Sequence, residues 1–75
     1  VEGEKVTIFG WKDRARVELS GAKRAHVRIY DMTGHLVKQE QMNQSSRTFR
    51  IPQTGIYVVQ VQTPQQTYSR KIMLQ

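Results

Sequence analysis

Polar and apolar residues alternate along most of this chain with a period of two. Over residues 5–9, Lys-Val-Thr-Ile-Phe, Val6 and Ile8 fall opposite Thr7 and Phe9. After the polar, turn-like stretch 10–14, Ala15, Val17 and Leu19 alternate with Arg16, Glu18 and Ser20 until Gly21 breaks the run. Successive side chains of a strand point to opposite faces, so this pattern sets one face in a core and one in water. The two runs read as a hairpin. Ala25, Val27 and Ile29 against His26, Arg28 and Tyr30 predict a strand over 25–30, returned through Asp31-Met32-Thr33-Gly34 into a second strand over 35–40. Asp suits the first position of a type I turn. Gly in fourth place accepts the left-handed backbone of a bulged hairpin.

Residues 41–46 read as a polar loop, and Thr48–Ile51 as a short strand stopped by Pro52, which has no N–H to give a ladder. Thr54-Gly55 is a turn. Ile56–Gln62 is rich in β-branched residues and apolar on both faces, the mark of a central strand. Thr63-Pro64-Gln65-Gln66 fits a tight turn, and Thr67–Leu74 closes the chain with Tyr68, Ile72 and Leu74 on one face. No stretch carries a helical period. Short strands at roughly ten-residue spacing predict an all-β domain: a small seven-stranded antiparallel immunoglobulin-like β-sandwich over residues 1–75, preferred to a small barrel.

Length and composition narrow the function. Seventy-five residues make one domain with a thin core. The chain opens on Val1 rather than Met, so it is expected to be the C-terminal module of a larger protein. It has no cysteine, hence no disulfide and no thiol chemistry, and no apolar run approaches the roughly 20 residues of a membrane helix. The net charge of +6 admits an acidic partner, but the cations are dispersed from Lys12 to Lys71 and read as a solvated surface.

Candidate chemistry is thin. His26 and His35 lack the further ligands of a zinc site, and Ser20, Ser45, Ser46 and Ser69 lie in no nucleophile elbow. Of the six acids, Glu2, Glu4, Asp13 and Asp31 fall near the start or in turns, where they serve solubility and turn geometry. The isolated glycines at 3, 10, 21, 34 and 55 read as turn formers, not as a phosphate loop. No catalytic residue, cofactor or metal is expected, and the chain is read as a non-enzyme.

From Val27 onward the sequence resembles a known family. The carrying residues are Val27-Arg28-Ile29-Tyr30-Asp31-Met32-Thr33-Gly34-His35-Leu36-Val37, then Ile51-Pro52-Gln53-Thr54-Gly55-Ile56-Tyr57-Val58-Val59-Gln60-Val61, then Arg70-Lys71-Ile72-Met73-Leu74. Their order and spacing resemble the C-terminal sorting domain of proteins exported by the type IX secretion system of Bacteroidetes, and a similar pattern occurs in C-terminal β-domains of Bacteroidetes surface proteins. The chain lacks the second terminal lysine of many members.

The resemblance implies that Gly34 and Gly55 shape turns and that Tyr57 packs at the start of its strand, its hydroxyl finding a partner there. Arg70 and Lys71, on the last strand, would face the outer-membrane secretion machinery. The implied protein carries an upstream passenger domain and is secreted or held at the cell surface in association with the outer membrane. Two other readings stand beside it. One is an accessory interaction domain binding protein, carbohydrate or a second copy through its edge strands, with Trp11, Tyr30 and Tyr68 as contacts. The other, given least weight, is a small nucleic-acid-binding barrel with Arg16, Arg28 and Tyr30 as its platform.

Overall fold

The computed structural model describes residues 3–75; Val1 and Glu2, on which the expectation of an upstream segment and one acidic position rest, lie outside the described residues. Seven strands follow one another: β1 (Lys5–Trp11), β2 (Arg14–Ser20), β3 (Ala25–Asp31), β4 (Leu36–Met42), β5 (Ser46–Arg50), β6 (Gly55–Gln62) and β7 (Thr67–Leu74). They form a three-stranded sheet in the order β1-β2-β5 and a four-stranded sheet in the order β4-β3-β6-β7. Every pairing is antiparallel, and there is no helix among the described residues.

The period of two does the placing. Ile8, Ala15, Val17, Leu19 and Phe49 point inward from the first sheet, and Val27, Ile29, Tyr57, Val59, Val61, Ile72 and Leu74 from the second, into one shared core. β6 is central, as its doubly apolar composition predicts, and pairs with β3 and β7. A one-residue slip in any of these strands would turn its apolar set to water, so burial fixes register.

Three sequence expectations are corrected. The stretch 10–14 is not a loop: Gly10, Trp11 and Arg14 are strand residues, Trp11 pairs with Arg14, and only Lys12 and Asp13 turn the chain. Lys12 takes the left-handed φ of 56° that glycine usually supplies, so composition gave no sign of so tight a hairpin. The loop predicted over 41–46 shrinks to residues 43–45, because Gln41 and Met42 continue β4 and Met42 is fully buried. The hydrophobic effect recruits a methionine that its polar neighbours had hidden. Gly10 is the third case. It lies inside β1, and a Cβ there would sit 2.9 Å from Leu74 Cδ2 and 3.2 Å from Ile72 Cβ.

That close approach ties the last strand to the other sheet. The Tyr68 hydroxyl donates to Glu4, Gly10 packs on Ile72 and Leu74, and the Gln75 N–H donates to the Lys12 carbonyl at 3.0 Å. The contacts occur in the same order along both segments, so β7 runs alongside β1. β7 is therefore an edge in its ladder but flanked on its open side. The opposite side is closed by charge. Lys38 and Glu40 stand on the core-facing side of β4, opposite Ile29 and Val27. Lys38 lies 3.7 Å from Glu40, which also pairs with Arg47 of β5. Charges at inward positions of an outer strand discourage further pairing.

Replacing Gly10 by Val is expected to destabilise the domain by about 1–3 kcal/mol, the cost of overpacking a closed core. Urea unfolding followed by circular dichroism measures it, and an unchanged midpoint would show that β1 and β7 are not in close contact.

Candidate functional site

The positions singled out by sequence converge at one end of the four-stranded sheet. Asp31 pairs with Tyr57 in the β3–β6 ladder, Gly55 with Leu74, Ile56 with Met73 and Val58 with Lys71. The turns before β4 and before β6 thus meet beside the C-terminal half of β7. Asp31, Met32, Thr33, Gln53, Gly55 and Tyr57 line the recess between those turns.

The first turn is built around one carboxylate. Asp31 Oδ1 accepts the Thr33 N–H at 3.0 Å, the Thr33 hydroxyl at 2.7 Å and the His35 N–H at 2.9 Å. The Gly34 N–H reaches the Asp31 carbonyl at 3.1 Å, and Gly34 holds φ 92°. Beyond it the ladder shifts register between Ile29 and Tyr30, the bulge expected of this hairpin. Donors that favour the ionised form, first the Thr33 hydroxyl and then the His35 amide, hold the Asp31 carboxyl below the ordinary value of 3.8.

The second turn depends on Gly55, whose φ of 140° an L side chain rarely adopts. Tyr57 follows, 4% exposed, its ring in the core and its hydroxyl donating to the Gln53 carbonyl at 3.1 Å. A buried phenol needs such a partner, and here it straps the turn to the strand that leaves it.

The outer face of this end is apolar. Tyr30 lies between Leu36 and Val58, Val58 is followed by Lys71, and Ile56 pairs with Met73 in the next row. Met73 is 59% exposed and Leu36 also faces water. Ile56, Lys71, Ile72 and Met73 line a shallow recess at its margin. The far half of the same face is polar, with His26, Arg28, Gln39, Gln41, Gln60 and Gln62 in register. Arg70 and Lys71 take part in no ion pair among the described residues.

Gly34, Gly55, Tyr57 and Lys71 are therefore brought together. Arg70 is not: it pairs with Val59 on the core-facing side of β7, so neighbouring cations leave the strand in opposite directions. The three residues named as surface contacts also part company. Trp11 stands on the outer face of the three-stranded sheet, Tyr30 on that of the four-stranded sheet. Tyr68 packs half-buried against the core and donates to Glu4 Oε2 at 2.9 Å. Burial first, and then Glu4, push its phenol above 10.0. Arg16 is likewise on the opposite sheet from Arg28 and Tyr30, so the platform expected for a nucleic-acid barrel is not assembled.

Sequence reasoning missed two features. Glu4, read as a solubilising acid, accepts hydrogen bonds from Tyr68 and Thr63 and anchors the lead-in to β1. The outward apolar band, exposed at Leu36 and Met73 and half-buried at Ile56 and Val58, was visible only as the doubly apolar character of β6, which was explained by its central position. No group of residues suited to hold a metal ion occurs among the described residues.

A family model described as a secretion system C-terminal sorting domain matches residues 11–75, from the end of β1 through β7 to Gln75. No curated protein matches the chain.

The Asp31 turn makes a pH-dependent prediction. A carboxyl depressed on folding contributes stability above its unfolded value, and that contribution disappears as pH falls through the folded one. Asp31→Ala is expected to lower the melting temperature at neutral pH, with the gap to the parent closing below pH 3.8. Thermal melts at both pH values test this; a constant gap would remove the carboxylate from the account of the turn.

Proposed function

Because the chain belongs to the secretion system C-terminal sorting domain family, we propose that its sorting information is read from the apolar end of the four-stranded sheet. The family is a sorting signal for type IX secretion, so the protein carrying it is a secreted or cell-surface protein with a passenger to be moved. Catalysis is not the family's work.

One observation carries the reading: the turns at Asp31–Gly34 and Gln53–Gly55 and the last strand come together beside an outward-facing apolar band, exposed at Leu36 and Met73, with Lys71 at its margin. Apolar positions ringed by polar ones, with a long cation at the rim, are the composition of a protein-docking patch. The secretion machinery of the outer membrane takes this patch by its side chains. Strand addition at β7 is disfavoured because β1 flanks that edge, and β4 carries its own charged guards. Tyr57, Gly34 and Gly55 act by holding the patch in shape; Lys71 and Met73 act by contact. Arg70 serves at the rim of β7, and the protein is associated with the outer membrane during or after export.

An immunoglobulin-like topology belongs to the same proposal. A tyrosine near the start of the sixth strand, bonded to a carbonyl four residues upstream, has the form of the tyrosine corner of that fold. The orders β1-β2-β5 and β4-β3-β6-β7 differ from the constant-type arrangement only in β4, which pairs with β3 instead of β5.

The test is a fusion of residues 1–75 to a reporter in a host with a type IX system, scored for reporter at the surface. Lys71→Gln and Met73→Gln, both at exposed outer positions, are expected to cut export about tenfold each, the loss of one interface anchor. Melting temperatures should stay within a degree or two. Export unaffected by either change would move recognition elsewhere on the domain, whereas no export of the parent fusion would overturn the sorting role of this chain.

A further inference from the structure

The topology assembles a second surface that the family match does not describe. On the outer face of the three-stranded sheet, Trp11, Arg14 and Arg50 stand in one cross-strand row, and Phe9, Arg16 and Thr48 in the next. Trp11 is 45% and Phe9 38% exposed, large areas for aromatic rings on a small domain. The two rings lie two residues apart on one strand, about 7 Å by the rise per residue.

Arg14 and Arg50, beside Trp11, are held in place yet open. Arg14 lies 5.5 Å from the centre of the Trp11 ring. Asp13 accepts the Arg50 Nε–H at 3.1 Å, which leaves the terminal nitrogens of a side chain 79% exposed without a hydrogen-bond partner among the described residues. Arg16 is engaged at all three nitrogens, Nε to Glu18 at 2.8 Å and the terminal nitrogens to Thr48 at 3.1 Å and Ser46 at 3.5 Å. It adds positive charge to the face, while Arg50 keeps its terminal nitrogens free among the described residues. A guanidinium steadied from behind presents its planar fork with less entropy left to lose on binding a carboxylate. Lys5, Arg14, Arg16 and Arg50 outnumber Asp13 and Glu18 on this face, so it attracts anions.

We propose that this face binds an acidic polysaccharide, a chain of carboxylated sugars. The Trp11 row offers an aromatic ring for the apolar face of a pyranose and the Arg14 and Arg50 guanidiniums for its carboxylate, and Phe9 in the next row offers a second ring. The choice of polysaccharide over nucleic acid rests on the sorting reading, which takes the domain to the cell surface. Binding itself is measured without any export, so failure of one does not imply failure of the other.

The experiment is calorimetric titration of the purified chain, at low salt, with polygalacturonate oligomers, neutral dextran of equal length, and oligodeoxythymidine. Trp11→Ala keeps the charge; Arg14→Gln with Arg50→Gln removes two cations from the platform; Arg28→Gln with Lys71→Gln removes two from the opposite sheet. Saturable binding of polygalacturonate and none of dextran are expected. The first two variants should weaken it about tenfold and the third less than about twofold. Circular dichroism checks folding, and the single Arg50→Gln substitution, on an exposed side chain, stands in if Trp11→Ala fails to fold. Absence of polygalacturonate binding, equal losses from both charge-removing pairs, or no effect of Trp11→Ala would overturn the proposal. So would tighter binding of oligodeoxythymidine, which would make the face a single-strand platform.

Discussion

The interior of this domain is closed on one side by β7, which is laddered in one sheet and packed against the other. Its hydrogen bonds go to β6, but Ile72 and Leu74 press on the bare backbone of Gly10 in β1, and Gln75 reaches the Lys12 carbonyl. Any larger residue at position 10 would hold the sheets apart along that side. With the sheets in contact, Val17, Ile29, Val59 and Val61 are fully shielded from water, and in a chain of this size few other contacts are left to supply stability. The last strand is thus structural before it is anything else. Signals on it must be carried by the side chains it turns outward.

From that constraint follows the division of the surface. Each strand spends its inward positions on the core, so chemistry is confined to the outward positions of two separate faces and to the turns. On the four-stranded sheet the outward positions divide lengthwise, apolar where the Asp31 and Gly55 turns meet and polar at the far end. On the three-stranded sheet they hold alternating aromatic rings and guanidiniums. The faces look away from each other, so a partner on one leaves the other free. A sorting module with two independent faces can be read by one partner while it meets another.

Much of this was legible in the chain. Alternation over 15–20, 25–30 and 56–62 located three strands and their inward residues, because β-structure repeats every two residues and burial punishes a slip. Asp31 and Gly34 announced a turn by chemistry that few other pairs supply. What failed did so for local reasons. The hairpin at Lys12 and Asp13 carries no glycine at its tip, and its geometry is imposed by the pairing of Trp11 with Arg14. Met42 sits among polar neighbours and is buried because β4 continues beside β3. Glu4 gains its role only when the start of β1 reaches Thr63 and Tyr68, residues far along the chain.

The sequence by itself determined the class of the protein: an all-β chain of seven strands, the inward side of the strands that alternate cleanly, the turn at Asp31–Gly34, and a motif order that the family match extends over residues 11–75. Those are properties of neighbours along the chain, and a period of two or a turn residue expresses them directly. Only the tertiary structure decided which outward positions share a face. It separated Arg16 from Arg28 and Trp11 from Tyr30, and it joined Arg14 to Arg50 across thirty-six positions. The physical reason is that a strand's partner is chosen by how apolar surface is closed in three dimensions. Strand order, and with it every surface cluster, is therefore a property of the whole core.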